Sequence, residues 1–176
     1  MYLLARHRVG AGALVLGLFL ITLFFLPLPV LTVAEKDKFN QILIPMVLDK
    51  TFTIEYIHSV QKTPVQEKFI LAPGNKIILT ETTFQSFGVG TPFLADEGTL
   101  VNKNGTFVLT DLSRSFESIN LGFLPLTKHT IVYRNDTYNF SDYFKPNSLI
   151  IVQAEQYTPA KIIWQVLGCR REVRID

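Results

Sequence analysis

The chain is 176 residues long, with 48% hydrophobic and 12% aromatic residues, which excludes a disordered segment and leaves room for one domain plus an appendage. The formal net charge is only +2; Arg6 and Arg8 account for it, so the remainder lacks the basic footprint of a nucleic-acid binder. A single cysteine, Cys169, excludes an internal disulfide, and stability must come from an apolar core to which 14 phenylalanines contribute.

From residue 9 to residue 33 no side chain is charged, and Thr22 and Thr32 are the only hydrogen-bonding side chains. Residues 9–26 read as helix, because Pro27 and Pro29 remove backbone donors and disfavour helix in the residues before them. At about 1.5 Å per residue this run reaches about 27 Å, close to the roughly 30 Å of a bilayer's hydrocarbon core. Arg6, His7 and Arg8 precede it, whereas Glu35, Lys36, Asp37 and Lys38 after it cancel, which keeps the N-terminus cytoplasmic and sends the rest across. A cleaved signal peptide is the rival, but the run is long for one, and Thr32-Val33-Ala34 is a poor cleavage site. The expected division is a cytoplasmic N-terminus and transmembrane anchor over residues 1–34 and an extracytoplasmic β domain over 35–176, on a single-pass protein of the cell membrane.

Residues 35–41 read as a short charged linker. Beyond them the pattern has period two. Phe52, Ile54, Tyr56, His58 and Val60 share one face of a strand, and Val65, Glu67, Phe69 and Leu71 share a face of the next. Pro73-Gly74-Asn75 is a turn into a third strand over residues 76–84. Asn104-Gly105 is the strongest two-residue hairpin signal, and Asn135-Asp136 is a weaker one. Residues 112–119 suit a strand or a short helix, and residues 147–153 and 160–166 read as closing strands. Arg170, Arg171 and Arg174, interrupted by Glu172, read as a solvated tail. The fold class is mainly β, an antiparallel β-sandwich or partly open barrel preceded by one transmembrane helix.

Chemistry has two candidate places. If residues 61–64 form the loop between the first two strands, Val60 faces Val65 and His58 faces Glu67 on a largely apolar face, with Cβ atoms about 5 Å apart. Such a pair either fixes register as a satisfied polar couple or orients His58 for a ligand. Ser59 points to the other face, against a serine–histidine nucleophile. A metal there needs a third ligand, with Asp96 or Glu97 the nearest donors, and no multi-histidine spacing exists; no metal or cofactor is expected. The second place is the loop Phe87-Gly88-Val89-Gly90-Thr91-Pro92, followed by Asp96, Glu97 and Gly98. It matches neither a dinucleotide fingerprint nor a P-loop. His129 is an isolated histidine at the start of a strand.

Residues 54–60, Pro64-Val65-Gln66-Glu67 and residues 86–92 together resemble an uncharacterised bacterial and archaeal family of small proteins bearing a domain of unknown function, often encoded beside TAXI-type TRAP transporters. His58, Ser59, Glu67, Gly88, Gly90 and Pro92 match its motifs; valine at position 89 stands where alanine is expected. The resemblance is clear over residues 52–98. It implies an extracytoplasmic, membrane-associated accessory role near a solute importer, contacting its permease or its solute-binding subunit, and implies no catalytic activity. The alternatives are small-ligand or metal binding on the His58–Glu67 face and, more remotely, a hydrolase.

Overall fold

The computed structural model describes residues 16–19, 21–37, 40–86 and 98–172, with backbone alone for 168–172. The chain divides into a β unit, Pro29–Glu155, and a terminal unit that joins Met1–Leu28 to Gln156–Asp176.

Alternating apolar residues build two sheets in the β unit. The smaller sheet has the order β2 (Gln41–Pro45), β1 (Leu28–Glu35), β12 (Ser148–Tyr157) and β9 (Ser118–Phe123). The larger runs β11 (Asp136–Asn139), β10 (Thr130–Tyr133), β3 (Thr51–Ile57), β4 (Pro64–Ala72), β5 (Lys76–Phe84), β7 (Thr106–Thr110) and β6 (Thr99–Lys103), with β8 (Arg114–Phe116) also on β5. Leu31, Val33, Ile42 and Ile44 of the smaller sheet share one buried cluster with Phe52, Ile54, Phe69 and Leu79 of the larger. The architecture is therefore two antiparallel sheets around a common core, and among the described residues no closed barrel forms. Within that core Phe52 stacks on Phe69 with ring centroids 5.3 Å apart.

Turn chemistry follows the sequence closely. Lys103 pairs with Thr106, and Asn104 and Gly105 take φ of 54° and 86°, the positive values a tight hairpin turn requires. The second hairpin forms one residue earlier than expected. Tyr133 pairs with Asp136, so Arg134 and Asn135 make the turn, with Arg134 at φ 54°. Residues 112–119 resolve as extended chain leading through β8 into β9.

Two expectations change at the ends of the β unit. Residues 28–35 are a strand: β1 pairs with β2 from Val30↔Pro45 to Ala34↔Gln41, so the expected linker connects the two arms of a hairpin. Glu35 closes that connection from the inside. It is only 6% exposed, and its carboxylate accepts the Lys145 backbone N–H at 2.7 Å and the Asn40 side-chain amide at 3.1 Å. Glu35 thus ties the β1–β2 hairpin to the segment entering β12.

The second change is at the C-terminal end. Residues 160–166, expected as a strand, are helical: α1 covers Pro159–Glu172. Thr158 caps it, its Oγ1 accepting the Lys161 N–H at 3.2 Å, and Pro159 occupies the first helical position, where a missing N–H leaves nothing unsatisfied.

At the other terminus, residues 16–19 and 21–25 are helical and the helix stops before Pro27, as the proline predicts. Among the described residues no helix is long and apolar enough to cross a membrane. Residues 9–15 and 20 of the expected span lie outside the described residues.

Removing the Glu35 carboxylate leaves a part-buried backbone donor without its acceptor. Glu35→Ala is expected to lower unfolding stability by about 2 kcal/mol, read from urea denaturation of the full chain.

Candidate functional site

The β3–β4 hairpin decides which polar groups meet. Its loop is residues 58–63, not 61–64, because Pro64 opens β4 opposite Ile57, a strand-start position that needs no ladder donor. His58 closes the loop: its N–H donates to Thr63 O at 2.9 Å, and its carbonyl accepts the Lys62 N–H at 2.9 Å. Lys62 takes φ 57°. The His58 Nδ1 accepts the N–H groups of Val60 and Gln61 at 3.3 and 3.2 Å. The expected His58–Glu67 pair therefore does not form. That ring nitrogen serves the turn, and Ser59 is an exposed residue of the same loop.

Val65 stands opposite Tyr56 in place of Val60, an even displacement that preserves the alternation of faces. Val65, Glu67, Phe69 and Leu71 still share the inward face, but Glu67 now opposes Ile54. Tyr56 and Glu67 become diagonal neighbours on one face, within reach of a long side chain. The Tyr56 hydroxyl donates to Glu67 Oε1 at 3.4 Å. Burial raises the Glu67 pKa, opposed by the Tyr56 hydrogen bond and the Arg114 charge. Burial also raises the Tyr56 pKa, and the Glu67 charge and hydrogen bond push it the same way. On the next strand Glu67 opposes Thr82. Thr82 is 1% exposed, and its hydroxyl has no hydrogen-bond partner among the described residues.

The Tyr56 ring also covers His129, which in the sequence stands as an isolated histidine. The two rings stack with centroids 5.3 Å apart and 22° between planes, and Phe140 stacks on His129 at 5.6 Å and 19°. Phe123 meets the imidazole edge-on at 6.4 Å. The Thr127 hydroxyl donates to Leu124 O at 2.6 Å, so its oxygen must accept from His129 Nδ1, 2.7 Å away. A carbonyl cannot donate, and this fixes the tautomer: Nδ1 carries the hydrogen and Nε2 the lone pair. Burial lowers the His129 pKa to about 4, so the ring is uncharged at neutral pH. The signal available in the sequence was Thr127 two residues before His129, with Phe123 and Phe140 nearby; only the fold shows that they converge.

His129 lines a cavity of about 340 Å³ together with Phe123, Pro125, Lys128, Asn139 and Ser141. The turn Pro125–Thr127 and the short turn Phe140–Asp142, which follows β11, carry part of its wall. Lys128 takes φ 46° where the first turn ends. Among the described residues no cluster of three or more His, Cys, Asp or Glu side chains could hold a metal. Gly88, Gly90, Pro92 and Asp96 lie outside the described residues.

A family model described as domain of unknown function (DUF1850) matches residues 52–140. The chain belongs to that family. The match starts at Phe52 in β3 and ends at Phe140, so it contains Tyr56, Glu67, Thr82 and His129. No curated protein and no solved structure matches the chain.

Glu67 and His129 have opposite effects on the pH dependence of stability. Native Glu67 holds its proton more tightly than the unfolded chain does, so its contribution falls as pH rises from 4.5 through its raised pKa. Native His129 binds its proton more weakly, so stability falls as pH drops from 6.5 towards 4. Urea unfolding across this range is expected to show a shallower loss above pH 4.5 in Glu67→Gln and a shallower loss below pH 6.5 in His129→Phe.

Proposed function

We propose that this protein is a membrane-tethered accessory module whose β unit acts on the extracytoplasmic side by contact with a partner and not by catalysis. The observation that carries this reading is the exposed apolar surface of the terminal unit. In the N-terminal helical segment Leu16, Leu18, Phe19, Ile21 and Phe25 are exposed, and in α1 so are Ile163, Trp164, Val166 and Leu167. Such a density of uncovered apolar side chains is costly in water and normal in a membrane or at its interface. The uncharged residues 9–26 and the basic residues before them support an anchor with the N-terminus inside. The partner implied by the family resemblance is a TAXI-type TRAP importer, through its permease or its solute-binding subunit.

The alternative of ligand or metal binding on a His58–Glu67 face loses its basis, because those side chains do not pair. His58 Nδ1 is committed to the hairpin loop, and Glu67 meets Tyr56.

Trp164 is the chain's single tryptophan and is 75% exposed, so it reports on the terminal unit directly. Full-length protein reconstituted into phosphatidylcholine–phosphatidylglycerol vesicles is expected to show blue-shifted Trp164 emission and to resist carbonate extraction. Emission at the water-exposed wavelength together with release by carbonate would refute the tether. Crosslinking in native membranes is expected to recover a transporter subunit; its repeated absence would remove the importer from the proposal and leave the tether standing.

A further inference from the structure

We infer that the cavity at His129 is a binding site for a small organic carboxylate that also carries a hydroxyl or amine donor. Four features of the site converge on this ligand chemistry. His129 is held by stacking on both faces, against Tyr56 and Phe140, and its Nδ1 is engaged by Thr127. The ring's remaining edge bears Nε2, whose lone pair can only accept, so a ligand there must supply an O–H or N–H. Burying an imidazole among aromatic rings costs desolvation that an apolar residue would avoid, which makes His129 hard to account for by packing alone.

The second feature is charge. Lys128 lines the same cavity and is exposed, so its ammonium can meet a carboxylate. The third is what the other polar groups are already doing. The Thr130 hydroxyl lies 3.3 Å from both Lys128 O and Asn139 Oδ1, Asn139 Nδ2 donates to Asp142 at 3.2 Å, and the Ser141 hydroxyl donates to Asp142 at 3.2 Å. These bonds engage the other polar side chains of the wall, so among the lining residues His129 brings an acceptor nitrogen and Lys128 an ammonium that the wall's own hydrogen bonds do not use. The fourth is shape: Phe123 and Pro125 give an apolar wall, and about 340 Å³ is ample for a small acid. Binding here requires neither the membrane tether nor the importer.

The test is a calorimetric titration of the full-length protein at neutral pH with L-lactate, L-serine and propionate. Lactate and serine combine the carboxylate with a donor, whereas propionate has the carboxylate alone. Saturable binding of lactate or serine, roughly tenfold tighter than propionate, is expected. Lys128→Met is expected to weaken all three, and His129→Phe to abolish the preference over propionate while leaving residual carboxylate binding. Equal binding of the three acids, or a preference that survives His129→Phe, overturns the assignment of His129. No binding of any of them to the wild-type protein overturns the site. Lys128 is on the surface, so its variant remains informative even where the His129 variant fails to fold; lactate binding unchanged in Lys128→Met also counts against the site.

Discussion

The stacking of Phe52 on Phe69 fixes how β3 lies on β4, and most of the polar architecture depends on that register. With those rings opposed, Tyr56 stands opposite Val65 and diagonal to Glu67. The phenol can then bond the carboxylate with its hydroxyl and cover His129 with its ring. A slide of β4 by one residue would turn Glu67 outward together with Phe69. The apolar core and the polar groups beside it are therefore specified by the same contact.

Thr82 and His129 are buried, and Glu67 is half-buried, against a core otherwise built from aromatic and aliphatic residues. Each carries a desolvation cost, offset to different degrees. Glu67 has Tyr56 and the Arg114 charge, His129 has Thr127 and two stacked rings, and the Thr82 hydroxyl has no partner among the described residues. The chain stabilises this arrangement without an internal disulfide, so the shared core of the two sheets must supply the surplus.

Strand alternation and turn chemistry were legible in the sequence because both are local. Asn104-Gly105 folds as its composition requires, and the inward face of Val65, Glu67, Phe69 and Leu71 follows from period two. The hairpin loop at residues 58–63 was not legible, since it is closed by His58 bonding its own turn, and Pro64 serves as well for a strand start as for a loop. Residues 28–35 were hidden at the end of an apolar run whose composition suits an anchor and a buried strand equally. The helix that begins at Pro159 was missed, because the apolar residues 160–166 read as strand. The convergence of His129, Tyr56 and Thr127 needs β3 and β10 to be neighbours, which no local pattern encodes.

The smaller sheet sets an order of events for a nascent chain. Thr32 in β1 donates its hydroxyl to Gln153 O in β12, 121 residues away along the chain. Hairpins such as β3–β4 and β6–β7 can close as soon as their turns are made, whereas the β1–β12 pairing waits for β12 to be synthesised. Such distant pairing is slow and is formed late. Until then one side of the larger sheet has only part of its cover, so the interval between making β1 and making β12 is when this protein is most open to misassociation.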